Sequence, residues 1–300
     1  MQIHFQKIRS LGENALYVRF DTKTPPLDLP SLARRMCSEE SGIGAPLLVC
    51  LFPSSNSVAD LRAFTQNGET KVPDAAIRGA AKLLYDTREL TDSLARVTAN
   101  GTAFRMRVDP IDANRVNVMM TMGQVEAISE MQEDDAPIPL IYVLAEADGY
   151  RFDYTAMAID GEEYAVSFVE DINDPAINDV RHALSAANGG RHHIFCTLCS
   201  RDCLAVRILR RNGEDDRHCG AALATASVVA LTLGLVNFNT RIRISLSGES
   251  ATCIVRKDLS VLLHTSVHLL FKGVCEYDNE YDEAFEPTAP TTNLSSKAKQ

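Results

Sequence analysis

The chain has 300 residues, of which 45% are hydrophobic, so it can bury one large core or two medium ones. Its formal net charge of -10 argues against nucleic acid or an anionic membrane surface as the main partner. The first ten residues lack the apolar core of a signal peptide, and the longest apolar run, residues 226–236, is too short to span a bilayer. These features predict a cytoplasmic protein that has no membrane partner.

The first 128 residues combine alternating apolar patterns with two helical segments. The alternation predicts a pair of strands within residues 3–20, and Ser31 is the candidate N-cap of a helix that runs to Glu40. A buried strand follows Gly42, another strand spans 58–64, and a helix spans 74–84, with Pro73 suited to its first position. Two further strands are predicted at 104–108 and 115–120.

The acidic segment 126–139 contains two prolines and indicates a crossover, so we place a domain boundary there. The second half is predicted to contain strands at 138–145, 150–159, 164–169, 194–198, 204–209, 240–246, 250–256, 261–264 and 268–274, and a short helix at 176–188. Residues 276–300 are polar with few core-forming side chains, which predicts a disordered tail. The predicted domains are therefore 1–128, completed by a last strand at about 262–275, and 129–275.

One sequence unit occurs twice, once in each half. Residues 60–84 and 204–235 both read as a strand, a turn with Asn-Gly-Glu, and a helix of small residues. The second helix carries almost no charge and is expected to be buried on nearly every face. Cys219 lies at its start, where unpaired N–H groups and the helix dipole are expected to lower the pKa of the thiol. An ordinary, inert buried cysteine is the alternative interpretation.

The eight cysteines are expected to be reduced thiols, because the chain is long and shows no export signal. Cys196, Cys199 and Cys203 have metal-like spacing and follow two histidines. The strand alternation places Cys196 and Cys199 on opposite faces, however, and a zinc knuckle needs a Gly-containing turn and a second pair of ligands. We therefore predict no metal site.

The order of several short motifs resembles diaminopimelate epimerase and its cofactor-independent relatives over roughly residues 1–275. The segments that carry the resemblance are Phe5-x-Lys7, Leu11-Gly12, Gly42-Ile-Gly-Ala, Asp60-Leu-Arg, Met122-Gly123, residues 211–220 and Phe271-x-Gly273. The resemblance implies an α/β (α+β) fold of two pseudo-symmetric halves, each a mixed β-sheet wrapped around a central helix. It also implies a ligand site between the halves and no cofactor.

The resemblance further implies two acid/base cysteines, one at the start of each central helix. Cys219 stands at the second position, but Pro73 stands at the first, so Asp74 is the nearest ionisable candidate for the second catalytic role. A solvated first-turn acid is the alternative interpretation of Asp74. The substrate-binding candidates, carried over position by position, are Asn14, Thr65, Arg211, Gly220 and Ala221.

The sequence supports three functional hypotheses. The first is a cofactor-independent isomerase or epimerase that transfers a proton at a carbon next to a carboxylate, with Cys219 as acid/base and Arg211 as carboxylate holder. Its partner is a small carboxylate or amino-acid substrate, and a homodimer is left open. The second is a catalytically silent binding or regulatory protein, and the third is a genuine diaminopimelate epimerase of lysine biosynthesis.

Overall fold

A computed structural model describes residues 1–128, 142–147, 149–216 and 219–277. The strands are β1 (Gln2–Ser10), β2 (Glu13–Arg19), β3 (Leu48–Phe52), β4 (Ala59–Thr65), β5 (Gly68–Thr70), β6 (Leu94–Ala99), β7 (Thr102–Pro110), β8 (Arg115–Gln124), β9 (Glu126–Ala127), β10 (Tyr142–Ala147), β11 (Tyr150–Ile159), β12 (Glu162–Phe168), β13 (His192–Ser200), β14 (Cys203–Leu209), β15 (Asp215–Asp216), β16 (Ile242–Leu246), β17 (Glu249–Val255) and β18 (Ser260–Glu276). The helices are α1 (Leu29–Cys37), α2 (Asp74–Asp86), α3 (Pro175–Val180), α4 (Leu184–Ala187) and α5 (Gly220–Thr232).

The first half is a closed ring of eight strands around α2. Its strands pair in the order β1, β2, β3, β4, β6, β7, β8, β18, and β18 pairs back with β1. The β2–β3 and β4–β6 pairs are parallel, and the others are antiparallel. Helix α2 makes the parallel crossover from β4 to β6 and packs against the strands of this ring, which buries its residues 75–84.

The second half repeats this pairing pattern around α5. Strands β11, β12, β13, β14, β16, β17 and β18 follow one another in space, with β12–β13 and β14–β16 parallel. The ring closes through β8, which pairs with β18, and through β9, which pairs with β11. The repeated unit predicted from the sequence is thus confirmed as β4–β5–α2 and β14–β15–α5.

The two central helices fit their rings in different ways. Eleven of the thirteen residues of α5 are buried, as its uncharged composition predicts. Helix α2 instead carries two charged residues, Arg78 and Lys82, whose side chains are fully buried inside the ring. Each is paired with a carboxylate four residues away, Arg78 with Asp74 and Lys82 with Asp86, because an unpaired charge in this interior would be costly.

Several predicted boundaries are corrected by the structure. Helix α1 begins at Leu29 because the carboxylate of Asp28 caps it, accepting a hydrogen bond of 3.1 Å from the backbone N–H of Ser31, the predicted cap. Pro73 is the N-cap of α2 rather than its first residue. The helix predicted at 176–188 is divided into α3 and α4, the two strands predicted at 261–264 and 268–274 form one strand, β18, and β6 was not predicted.

The proposed domain boundary falls on the edge of the described residues, since 129–141 lie outside them. The predicted disordered tail also lies mostly outside them, from residue 278 onward; of its first two residues, Glu276 ends β18 and Tyr277 is buried. The division into domains therefore stays a prediction. None of the helices in the described ranges is long and apolar enough to cross a membrane.

Candidate active site

The starts of the two central helices meet between the two rings. Gly220, the first residue of α5, packs against Asp74, the first residue of α2. A Cβ atom placed on Gly220 would lie 2.1 Å from Oδ2 of Asp74 and 3.1 Å from Nη1 of Arg78. Only a residue without a side chain permits this approach. The structure therefore brings together three of the predicted site residues, Cys219, Gly220 and Asp74.

Cys219 is the N-cap of α5, and its sulfur contacts both the helix and a neighbouring strand. The Sγ atom accepts a hydrogen bond of 3.4 Å from the backbone N–H of Ala222. It also lies 3.3 Å from the hydroxyl of Tyr164, on β12. The residue is partly exposed. Tyr164 was not predicted as a site residue.

The prediction that the helix start lowers the pKa of Cys219 is wrong. Burial raises the pKa of the thiol to about 12, and the negative charge of Asp74 adds to the rise. The hydrogen bond from Tyr164 and the one from the N–H of Ala222 act in the opposite direction, while Asp216 raises the pKa further. Loss of hydration outweighs the donors, so near neutral pH Cys219 is a protonated thiol, able to donate a proton.

Asp74 is committed to an ion pair. Its Oδ2 atom accepts a hydrogen bond of 2.8 Å from Nη1 of Arg78, one helical turn later. The same nitrogen lies 3.7 Å from the sulfur of Met122. The other two guanidinium nitrogens of Arg78, Nε and Nη2, are buried without a hydrogen-bond partner in the part of the chain that the structure describes. The side chain of Asp74 is about a quarter exposed, so it is partly solvated, and the alternative of a first-turn acid without a catalytic role stays open as a prediction.

Glu13, the first residue of β2, lies in the same cluster and was missed by the sequence analysis. Burial raises the pKa of its carboxyl group to about 7. Of the charged groups around it, Asp74 and Asp216 raise this pKa, whereas Arg78 and Arg210 lower it. An acidic residue directly after a Leu-Gly turn, at the start of an apolar strand, is the sequence signal for it.

Asn14, the next residue on β2, is partly buried, and its Oδ1 atom has no hydrogen-bond partner among the described residues. Ala221 is partly buried in the first turn of α5, and its carbonyl oxygen accepts a hydrogen bond of 2.9 Å from Oγ1 of Thr225. Both positions are compatible with ligand contact. Their predicted substrate-binding roles stay predictions.

Thr65 and Arg211 lie farther from the helix starts. The hydroxyl of Thr65 is used within its own turn, donating to the carbonyl of Gly68 at 3.3 Å and accepting from the N–H of Asn67 at 3.1 Å. Arg211 is about half exposed and pairs with Glu162 at 3.0 Å. No hydrogen bond or ion pair in the described ranges joins either residue to Cys219 or Asp74.

A chain of contacts nevertheless leads from Arg211 toward the thiol. Glu162, the partner of Arg211, also lies 3.6 Å from Nε2 of His192. The ring of His192 packs on that of Tyr164, with 5.5 Å between the ring centres, and Tyr164 contacts Cys219. Burial is the main cause that lowers the pKa of His192, and Arg211 lowers it further. The lowered pKa favours the neutral form of the imidazole.

No group of three or more potential metal ligands is present in the described ranges. Cys196 is buried, whereas Cys199 is exposed, as expected for opposite faces of one strand. The larger of the two described cavities, about 560 Å³, is lined by Phe152, Ser167 and Asp171 among others, and does not include Cys219.

These features define a class of proteins: two similar eight-stranded rings, each closed around a helix, with the two helix starts facing each other. Solved structures of this class match the chain. A phenazine biosynthesis protein of the PhzF family from Enterococcus faecalis is 15% identical with a TM-score of 0.62, and covers 92% of this chain and 100% of its own. A probable proline racemase from Agrobacterium radiobacter is 12% identical with the same TM-score, and covers 96% and 94%.

At the sequence level, the chain is 22% identical over 291 residues to a diaminopimelate epimerase from Bacillus cereus, covering 93% of this chain and 99% of the relative. No protein-family model matches the chain. The predicted fold class and the resemblance to the diaminopimelate epimerase-like family are confirmed. Relatives and structural neighbours include an epimerase and a probable racemase, both of them kinds of isomerase.

Proposed function

We propose that the protein is a cofactor-independent isomerase that transfers a proton at a carbon next to a carboxylate, in an amino acid or a related small acid. The observation that carries this proposal is the contact of Gly220 with Asp74, which joins the two helix starts beside Cys219. The kinds of relatives found by the comparisons support the same class of reaction.

The helix starts suit a carboxylate ligand. The first-turn N–H groups of a helix have no partner within the helix, and they carry the positive end of its dipole. Pro73 offers no side-chain cap to α2, so the first-turn N–H groups of that helix keep their capacity for an anion. These donors would stabilise the carboxylate as the neighbouring carbon loses its proton and becomes carbanion-like.

Cys219 is the proposed acid/base. As a protonated thiol, it returns a proton to the carbanion-like carbon, and the resulting thiolate is stabilised by the hydroxyl of Tyr164 and the N–H of Ala222. Arg211 is proposed to hold the substrate carboxylate. It must exchange its partner Glu162 for the substrate to do so.

A second candidate function, a catalytically silent binding protein, is favoured by the Asp74–Arg78 ion pair. The carboxylate of Asp74 lies against Gly220, beside the thiol, and raises the pKa of that thiol. A protein kept only for binding would tolerate this arrangement, since no thiolate would need to form. This candidate predicts a ligand that binds at the helix starts without exchange of its hydrogens.

The experiment that separates the candidates is hydrogen exchange in D₂O, followed by proton NMR. The panel contains both enantiomers of the common amino acids, meso-diaminopimelate and small 2-hydroxy acids. We expect loss of the α-proton signal for at least one compound, and at least a ~100-fold slower loss for Cys219→Ala, the typical scale of general acid–base catalysis.

The matched control is Cys199→Ala, which removes an exposed thiol from another hairpin and should leave the rate unchanged. Exchange confined to meso-diaminopimelate would favour a genuine diaminopimelate epimerase. A chain that exchanges none of these compounds, but is stabilised against heat by one of them, would favour the silent binding protein.

A further inference from the structure

A reaction that inverts a carbon needs two proton-transfer groups, one on each face, and one of them must be able to accept a proton. Cys219 is protonated near neutral pH and is suited to donate. The carboxylate of Asp74 already accepts a hydrogen bond from the buried guanidinium of Arg78 at 2.8 Å. To accept a proton from a substrate, it would have to leave Arg78 with an unpaired buried charge, which is costly.

Glu13 does not have this restriction. Within the part of the chain that the structure describes, its carboxylate makes no hydrogen bond or ion pair, although the residue is partly buried. It follows Leu11 and Gly12, whose φ angles of 48° and 82° turn the chain sharply from β1 into β2. Glu13 is therefore held at the first position of a strand that packs directly on α2. Ala15 and Tyr17 of this strand lie in the core around α2, where the hydroxyl of Tyr17 donates to the carbonyl of Ala76 at 3.2 Å, and strand alternation places Glu13 on the same inward face.

Glu13 also lies at the junction of the two halves. The charged groups that face it come from both: Asp74 and Arg78 from α2, and Arg210 and Asp216 from the β14–β15 hairpin and its strand. Asp74 and Asp216 also act on Cys219. Glu13 and Cys219 are thus both influenced by Asp74 and Asp216, and Asp74 packs against Gly220, the residue after Cys219.

We propose that Glu13, and not Asp74, is the second proton-transfer group of this site, and that Asp74 is a positioning residue that holds Arg78 and packs against Gly220. The inference rests on the proposed function. It replaces the assignment of Asp74 that the sequence suggested, and the base becomes a carboxylate that makes no hydrogen bond or ion pair within the described ranges.

The proton transfers balance without any further reactant. The Glu13 carboxylate takes the α-proton, and the electron pair of the broken C–H bond moves toward the substrate carboxylate, which the helix starts stabilise. The thiol of Cys219 then gives its proton to the other face of the carbon, leaving a thiolate. The opposite enantiomer reverses both steps, and nothing is oxidised or reduced.

The ionisation of Glu13 supports this role. With a pKa raised to about 7, the carboxyl group is partly ionised at neutral pH and is a stronger base than an ordinary glutamate. Burial is the main cause of the raised value, and Asp74 and Asp216 add to it, against Arg78 and Arg210. Removing the charge of Asp74 should therefore move the ionisation of Glu13 to lower pH.

The test compares Glu13→Gln, Glu13→Asp and Asp74→Asn in the full chain, with Glu69→Gln, an exposed carboxylate on β5, as the control. Exchange of the α-proton in D₂O is measured between pH 5 and 9 on a compound that the unmodified chain exchanges. We expect Glu13→Gln to lower kcat at least ~100-fold and to abolish the rise in rate near pH 7. Glu13→Asp should restore part of the rate, and Glu69→Gln should have no effect.

Asp74→Asn should keep the rise in rate and move it to lower pH. Infrared spectra provide a readout that needs no substrate: a protonated carboxyl band should disappear with a midpoint near pH 7 in the unmodified chain, and should be missing in Glu13→Gln. The chain must remain folded, which is checked by circular dichroism.

An active chain whose rate is unaffected by Glu13→Gln would overturn the assignment of Glu13 and leave the proposed function standing. Loss of the pH dependence in Asp74→Asn instead would return the role to Asp74. An unmodified chain that exchanges no compound of the panel would overturn the proposed function and this inference together, whatever the infrared spectra show.

Discussion

The starts of α2 and α5 occupy equivalent positions in two rings of the same topology, yet their chemistry differs. The start of α5 has a thiol as its cap, then a glycine and a helix without charges. The start of α2 has a proline cap, an aspartate, and a buried arginine one turn later. Both rings therefore require a buried helix with small residues, whereas the residues at the start of that helix can differ.

The difference has a physical consequence where the two starts meet. The carboxylate of Asp74 occupies space beside Gly220. Burial is the main cause that raises the pKa of Cys219, and Asp74 raises it further, so the first helix start influences the ionisation of the second. The two starts act as one electrostatic unit. Substitutions at either start therefore test how strongly the two starts depend on each other.

The largest effect is expected for Arg78→Ala. The substitution leaves the carboxylate of Asp74 without its partner and opens a cavity in a fully buried position, so we expect a loss of about 3–5 kcal/mol in the free energy of unfolding. Urea unfolding measures it. Arg107→Ala, which removes an exposed ion pair with Asp109, is the control and should change stability by less than ~0.5 kcal/mol.

The double variant Asp74→Asn with Arg78→Met removes both charges and should be less destabilised than Arg78→Ala alone. A double variant as unstable as the single one would show that packing, and not the ion pair, makes Arg78 necessary.

The next largest effect is expected for Gly220→Ala. The new methyl group would lie 2.1 Å from the carboxylate of Asp74, which forces the two helix starts apart, at a cost of about 1–3 kcal/mol. Thermal unfolding measures this loss of stability. In an Asp74→Ala background the same substitution should cost less, since the carboxylate is gone; equal costs in both backgrounds would mean that the helix starts do not depend on this contact.

A smaller effect is expected for Tyr164→Phe. The hydroxyl of Tyr164 lies 3.3 Å from Sγ of Cys219 and lowers the pKa of the thiol, so its removal should raise that pKa further. The thiolate fraction falls, and alkylation of Cys219 by iodoacetamide at pH 9 should slow about 3- to 10-fold. Mass spectrometry of the alkylated peptides measures the rate, with Cys199 as internal reference. Faster alkylation would mean that Tyr164 shields the thiol from reagents instead.

The smallest effect is expected for Thr65→Ala. Among the described residues, its hydroxyl makes hydrogen bonds only within the β4–β5 turn, so the loss should be about 0.5–1 kcal/mol in stability, with no change in the KM of any exchanged compound. Thr197→Ala, which removes a similar hydroxyl-to-carbonyl bond on β13, is a matched comparison. A raised KM in Thr65→Ala would support the original prediction that Thr65 contacts the substrate.

Most of the fold follows from the sequence because its periodicities are strong. The helix after Cys219 carries no charge, which predicts that it is buried against a sheet. The repeated Asn-Gly-Glu unit predicts that the fold is duplicated. The buried charges of α2 do not follow, because Arg78 and Lys82 are spaced one turn apart, as on a solvent-facing stripe. Only the closure of the ring shows that this stripe is enclosed.

The site was predictable only in part for a related reason. The position of Cys219 at a helix start is readable from the sequence, but its ionisation depends on Asp74, which is 145 positions earlier in the chain. Glu13 was overlooked because local alternation gives no sign that charges from both halves surround it. Arg211 was located by its motif. Its ion pair with Glu162 was not predictable, because Glu162 lies on another hairpin.

The strand β18 has a consequence for how the chain is made. Its first part lies between β17 and β8, and its second part pairs with β1, so the ring that contains the N-terminus is completed by residues near 270. During synthesis, this ring has no closing strand until the residues of β18 have emerged from the ribosome. Its assembly must therefore wait for the C-terminal half. Nascent chains that stop before residue 260 would leave the edges of β1 and β8 uncovered, so that these edges could pair with the same strands of another nascent chain.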